Sequence, residues 1–329
     1  MNSTRRISAA VALLASAGLA LSACSSSGGK QESPGATGGA AAPEKTLTIA
    51  FVTHAAAGDT FWDLVRKGAE DAAAKDGVNL EYTGDPDGAN QSNLVKQAVD
   101  KKVDGIAVTL AKPDALSANV KAAVAAGIPV VALNAGSEEW KDMGVLSYFG
   151  QDEKIAGEEA GRKLTSEGAG KVLCVIQEQG HVGLEDRCDG VAAGHPQTEK
   201  LYVTGTDMGD VQSKVTAKLQ QDKAVTHVVM LGAPYTMTAL KSIEESGSSA
   251  KMISFDMNKD IVEQIKSGKV QWAVDQQPYL QGYLAIDSLW LNKTNGNILG
   301  GGQPVLTGPA FVDTSNIGPI EQFANAGKR

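Results

Sequence analysis

The chain has 329 residues, enough for two domains of ordinary size, and its 42% hydrophobic content with 37 glycines and only 5% aromatics suits an α/β protein with many tight turns. A net charge of −8 argues against nucleic-acid binding, because phosphate affinity comes mainly from Lys and Arg. There are no heptads, no basic run and no long apolar span to support a coiled coil, a polybasic surface or a membrane helix.

Residues 1–23 read as a secretory leader. Arg5 and Arg6 precede an apolar, small-residue stretch from Ile7 to Leu21 that is too short and Ala-rich for a membrane span. It ends Leu21-Ser22-Ala23-Cys24, which resembles a bacterial lipobox and implies cleavage before Cys24 and lipidation of its sulfur. An ordinary secretory signal with an incidental cysteine is the competing reading. Residues 24–45 are rich in Ser, Gly, Ala and Pro, cannot bury a core, and read as a flexible tether. The expected location is the outer face of the cell membrane, held there by lipid.

The folded body is predicted to begin with a strand over Leu47–Val52. Gly58-Asp59 fits a turn and helix cap, and a helix follows to about Lys75, stopped by Gly77. Phe61 and Trp62 fall in its first turn, just past a strand end, where they form either a stacking platform for a ligand or a plug over the domain. Asp59 is likewise either a ligand acceptor or simply a cap. Next come a strand over Val78–Tyr82, a turn cluster at 84–88, and a helix from Asn90 to Lys101.

The stretch Val103–Asn134 then reads strand, Pro-containing loop, helix, Gly127, strand, and closes on Asn134. Val225–Asp256 repeats the pattern at the same length and closes on Asp256. Two similar α/β halves would set Asn134 and Asp256 at matching strand ends, where open parallel sheets bind ligands. Between the repeats lie a short strand at Ser147–Gly150, a helix opened by Gln151-Asp152 and running to about Ser166, and a strand over Lys171–Ile176. A helix over Leu184–Ala193 carries Arg187, a weak strand sits at Tyr202–Val203, and a helix starts near Asp210. After the second repeat come a helix over Asn258–Ser267, a strand over Val270–Val274, a helix over Pro278–Leu291 and a strand near Pro309–Val312. The alternation predicts parallel sheets.

Cys174 and Cys188 are either a disulfide, which an extracytoplasmic location permits, or two buried thiols. His54, His181, His195 and His227 are scattered without ligand spacing, so no metal site is expected. His54 ends the first strand and is either a polar ligand contact or a loop histidine. No nucleophile elbow, paired metal motif or Gly-rich phosphate loop is present, so neither an enzyme nor a cofactor is expected.

Several segments together resemble the solute-binding proteins of bacterial sugar importers, in the type I periplasmic-binding fold that includes ribose-, galactose- and inositol-binding proteins. They are Phe51-Val52-Thr53 with Asp59-Thr60-Phe61-Trp62, Val103-Asp104-Gly105-Ile106, Gly127-Ile128-Pro129-Val130-Val131, and Gly150-Gln151-Asp152 before Ala156-Gly157. Arg187 before Asp189-Gly190, Phe255-Asp256, and Gln276 before Pro278 complete the set. The resemblance spans about residues 45–315. It implies two doubly wound parallel-sheet lobes joined by a three-segment hinge: an N-lobe of 45–149 plus 277–305 and a C-lobe of 150–276 plus 306–325.

The family's ligand contacts fall on Phe61 and Trp62, which would stack on a sugar ring, and on Asp59, Asn134, Arg187, Asp256 and Gln276 as polar contacts. Thr109 and Gln151 are further candidates, and Met208 is expected in the wall. Ala135 and Gly232-Ala233 depart from the ribose-type pattern, which carries Arg and an Asn-Asp pair there, so ribose does not follow from the resemblance. The implied function is capture of a monosaccharide or polyol by a monomer, without cofactor, for delivery to an ABC permease with a cytoplasmic ATPase. A ligand sensor for a membrane receptor or kinase is the alternative.

Overall fold

The computed structural model describes residues 46–329; the expected leader, Cys24 and the tether lie outside the described residues. No helix among the described residues is long and apolar enough to cross a membrane. The elements alternate along the chain: β1 (Thr48–Thr53), α1 (Phe61–Asp76), β2 (Asn79–Gly84), α2 (Gly88–Lys101), β3 (Gly105–Thr109), α3 (Pro113–Ala125), β4 (Val130–Leu133) and β5 (Tyr148–Gly150). Then come α4 (Glu153–Ser166), β6 (Lys171–Ile176), α5 (Val182–Gly194), β7 (Thr198–Tyr202), α6 (Met208–Gln221), β8 (Val225–Met230), α7 (Ala233–Ser246) and β9 (Lys251–Phe255). The last elements are α8 (Lys259–Lys266), β10 (Val270–Asp275), α9 (Pro278–Asn295), β11 (Val305–Leu306), β12 (Ala310–Val312) and α10 (Gly318–Asn325).

Among the described residues these strands form two six-stranded sheets, ordered β11-β5-β4-β3-β1-β2 and β12-β10-β9-β8-β6-β7. All pairings are parallel except β10 with β12. Two doubly wound α/β lobes result. The chain passes between the sheets three times: from β5 to α4, from β10 to α9, and from β11 to β12.

Each sheet is covered by helices on both faces, which explains why its central strands are apolar throughout rather than alternating. In β1, Ile49 and Phe51 join the core under α1 and α9, whereas Ala50 and Val52 join the core under α2 and α3. In the second sheet, Val172, Cys174 and Ile176 face α4 and α5, while Leu173 and Val175 face the core that includes α6 and α7. Cys174 and Cys188 form a disulfide, fixing α5 to β6.

Glycines let the helix pairs approach. A Cβ at Gly157 of α4 would come 2.2 Å from the carbonyl oxygen of Arg187, and one at Gly190 of α5 would come 2.3 Å from that of Lys154. The backbone that carries Arg187 is therefore pressed directly onto α4.

Several boundaries differ from expectation. β7 spans Thr198–Tyr202, because Val172–Ile176 offers it a parallel partner there that a local reading cannot see. Asp207, not a residue near Asp210, caps α6, its carboxylate accepting from Gly209 and Asp210 N–H groups. The two-residue β11 and the helix α10 carry no periodic signal long enough to register in the sequence.

Candidate ligand-binding site

The strand C-terminal ends of the two sheets face one another across a cleft. Asn134 directly follows β4 and Asp256 directly follows β9, and both residues adopt the left-handed backbone region, φ 67° and 70°. Such a φ is accessible to Asn and Asp but strained for bulky residues. Gln276, which follows β10, joins the two: Asn134 Nδ2 donates to Gln276 Oε1 at 3.3 Å, and Gln276 Nε2 donates to Asp256 Oδ1 at 2.7 Å. Gln281 Nε2 also donates to Gln276 Oε1 at 2.9 Å, which fixes the amide's orientation.

Phe61 and Trp62 form one wall of a small cavity that Asn134, Asp256 and Gln276 also line. The two rings meet edge to face, with centroids 5.1 Å apart, at the start of α1. Thr60 rather than Asp59 is the cap residue of α1, and Asp59 Oδ1 accepts from Phe61 N–H at 3.1 Å. Asp59 therefore holds the aromatic turn in place while lining the cavity. Burial pushes its carboxyl up to about 6, against the Phe61 hydrogen bond.

Arg187 reaches the same cavity from α5, but most of its hydrogen bonding is internal to the C-lobe. Its Nη2 donates to Glu153 Oε1 at 2.8 Å, and its Nε donates to Glu153 Oε2. Gln151 Nε2 donates to the same Oε2 at 2.8 Å. Burial disfavours the Arg187 charge, and Glu153 outweighs that effect, holding the guanidinium above its ordinary range. Burial lifts the Asp256 carboxyl to about 7, against the pull of Arg187 and the Gln276 hydrogen bond.

The lobes also touch across the cleft. His54, after β1, and His181, the cap of α5, lie 127 positions apart in sequence, yet their Nε2 atoms are 3.0 Å apart. Lys112 pairs with Glu178 at 2.8 Å, Val182 N–H donates to the Ala111 carbonyl at 3.1 Å, and Asn258 Nδ2 donates to Thr60 Oγ1 at 3.3 Å. These contacts define a closed cleft.

The expectation of scattered histidines is corrected here, since closure gathers donor atoms of His54, His181 and Glu178 within 4.8 Å of one another. Leu184 N–H donates to His181 Nδ1 at 3.3 Å, which places the neutral ring's proton on Nε2. His54 Nε2 lies 3.0 Å from that nitrogen, and His54 Nδ1 lies 2.7 Å from Thr109 Oγ1, which also accepts from the His54 backbone N–H and from Gln91 Nε2, each at 3.0 Å. Burial is the main cause that lowers both rings' affinity for a second proton, to about 3 for His54 and well below 6.5 for His181.

The structure thus brings His54, Asp59, Phe61, Trp62, Asn134, Arg187, Asp256 and Gln276 to one cavity. Thr109 and Gln151 stand behind it: Thr109 under His54, and Gln151 beside Glu153. Met208 is corrected. It is exposed in the first turn of α6, with its sulfur against the Thr238 hydroxyl, and does not line the cavity.

Gln177, Glu178, His181, Leu231 and Tyr235 also line the cavity and were not singled out as contacts from the sequence. The strand end at Gly232-Ala233, bare of polar side chains, is filled by Tyr235 instead. A Cβ on Gly232 would come 2.8 Å from the Tyr235 ring, so the glycine makes room for it.

Two α/β lobes closing on a polar, aromatic-walled cavity define a solute-binding protein of the two-lobe kind. Comparison with known proteins agrees: residues 49–296 match the model of the periplasmic binding protein domain, and the chain belongs to that family. Members of this kind bind substrates for ABC transporters, and this chain is a binding protein rather than an enzyme. It is 26% identical, over a 319-residue alignment covering 90% of this chain and 78% of the relative, to the xylose/arabinose-binding protein XylF of Sulfolobus acidocaldarius. It is 26% identical to the ribose import binding protein RbsB of Bacillus subtilis over 69% of this chain and 76% of that one. Among solved structures, a carbohydrate transporter from Acidothermus cellulolyticus in complex with myo-inositol is 53% identical, with a TM-score of 0.85. The match covers 86% of this chain and 100% of that one.

Proposed function

We propose that this chain is an extracytoplasmic solute-binding lipoprotein that captures a ring polyol, with myo-inositol the leading candidate, and delivers it to an ABC permease. The observation that carries the reading is the cavity itself: Phe61 and Trp62 on one side, and Asn134, Gln276 and Asp256 in one hydrogen-bonded row on another. A sugar or cyclitol has C–H faces that pack on aromatics and a rim of hydroxyls that both donate and accept. Carboxylates accept, Arg187 donates, and the amides do both. A wrong epimer would leave one of these buried groups unpaired, at about 1–3 kcal/mol each. The relative that is 53% identical, solved with myo-inositol, supports the cyclitol over a pentose.

The test is isothermal titration of the purified protein with myo-inositol, its epimers, pentoses, hexoses and linear polyols. Tight binding of myo-inositol, lost in Arg187→Ala and Asp256→Ala, supports the reading; binding of a pentose alone overturns the ligand class. Membrane attachment through Cys24 predicts that Cys24→Ala releases the protein from the cell and abolishes labelling by fatty acid.

A further inference from the structure

The cleft holds more space than the inner cavity occupies. Where β2 and β7 end, a second cavity of about 380 Å³ opens between the lobes, beyond the inner one. Both cavities are lined by Ala56, Gln177, Glu178 and Tyr235, so they form one crevice with a neck at these four residues. Each lobe contributes to the outer part: Asp87 and Lys112 from loops of the N-lobe, Thr204 and Thr206 from the loop after β7.

The neck and outer walls offer spare hydrogen-bonding capacity. Gln177 Nε2 donates to the Leu231 carbonyl at 3.2 Å, but its Oε1 is buried without a partner among the described residues. Lys112 Nζ donates to the Pro86 carbonyl at 2.6 Å and forms an ion pair with Glu178 at 2.8 Å, whose Oε1 is buried without a hydrogen-bond partner among the described residues. Val203 and the Tyr235 ring supply apolar surface. The charges do not favour an anion, since the single ammonium is already paired with Glu178 and faces Asp87 as well.

We propose that the outer cavity is a second subsite, which takes a neutral, hydroxylated substituent of about monosaccharide size on the ring polyol held in the inner cavity. The inference rests on the reading of the inner cavity as a ring-polyol site. It extends the ligand class from free cyclitols to their glycosides. The neck residues Gln177 and Tyr235 would then set which ring hydroxyl bears the substituent.

The experiment is calorimetric titration of the purified protein with myo-inositol, with a panel of mono-O-galactosyl-myo-inositols covering each ring position, and with myo-inositol monophosphates. At least one galactoside is expected to bind as tightly as myo-inositol, and the phosphates at least tenfold more weakly. Thr206→Trp, which fills the outer cavity from its exposed rim, is expected to weaken that galactoside at least tenfold and to leave myo-inositol within twofold. The unchanged myo-inositol affinity also shows that the variant is folded. The subsite is overturned if myo-inositol binds and no galactoside does, or if Thr206→Trp weakens both ligands equally. A phosphate binding more tightly than every galactoside overturns the neutral substituent. Failure of myo-inositol itself, read separately, removes the inner-cavity assignment and the subsite with it.

Discussion

Asn134 and Asp256 directly follow equivalent strands of the two sheets, β4 and β9, in the same left-handed conformation, and one amide, that of Gln276, accepts from the first and donates to the second. Gln276 lies beside the β10-to-α9 crossing, so the hinge and the two strand ends share one hydrogen-bonded unit. Gln276→Leu keeps the volume and removes the bridge, leaving Asn134 Nδ2 and Asp256 Oδ1 without it. At about 1–3 kcal/mol for unpaired buried groups, ligand affinity should fall roughly ten- to hundredfold. Calorimetry on the variant checks this; an unchanged Kd would mean that the amide takes no part in holding the ligand.

Asp256 gives a prediction with opposite signs for stability and binding. Its carboxyl is raised to about 7 by burial, well above the value near 4 of an exposed Asp, so its penalty on the ligand-free form builds as pH rises from about 4 to 7 and is complete above that. Asp256→Asn removes that charge and keeps both an acceptor and a residue type at ease with φ 70°. The ligand-free Tm should rise most at pH 8 and change little at pH 4, while ligand affinity drops because a carboxylate acceptor is lost. Thermal melts at the two pH values decide it, and an equal shift at both would rule out the raised carboxyl as the cause.

The histidine pair should couple closure to protons. Both rings are held neutral in the closed cleft, whereas exposed imidazoles titrate near 6.5. Their contribution to the closed form is therefore complete above about pH 7.5 and declines as pH falls from about 6.5 toward 3. Closing on ligand should expel protons at pH 6 and none from these rings at pH 8. Titrations in buffers of different ionisation enthalpy would show greater release from the wild type than from His181→Asn at pH 6, and equal release at pH 8. Equal release at pH 6 would exclude His181 as a source.

Glu153 is the counter-charge of Arg187, and the two are buried together. Removing one partner of such a pair leaves the other uncompensated, at about 3–5 kcal/mol. Glu153→Ala should lower the unfolding free energy by about that amount and weaken ligand binding, because Arg187 loses the partner that orients it. Urea unfolding measures the first effect and titration the second. A loss below 1 kcal/mol, on the scale of an exposed ion pair, would show that water reaches Arg187 in the variant.

The two α/β lobes, and the matching strand ends at Asn134 and Asp256, were legible because strand–helix–strand repeats of equal length leave a periodic apolar signal. Asp59, Phe61 and Trp62 were legible as cavity neighbours because they follow a strand end directly. Glu178, His181 and Tyr235 were not, because loop and helix-start residues carry no periodicity and reach the cavity only when the lobes meet. Glu153 was hidden differently: next to the cap of α4 it reads as an ordinary first-turn acid, and only the close α4–α5 crossing at Gly157 and Gly190 sets Arg187 against it. Met208 carries no sequence signal of its side: capped by Asp207, it opens the first turn of α6, and that turn faces solvent.

The three chain passages between the sheets have a mechanical consequence. Three short connections, side by side, resist twisting and sliding far more than bending, so the relative motion of the lobes reduces to one angle. Occupancy is then encoded in a single geometric coordinate. A dye pair with one member at exposed Lys96 on α2 and the other at exposed Lys214 on α6 would convert that angle into a distance, and so into a readout of solute concentration that needs no chemistry at the cavity.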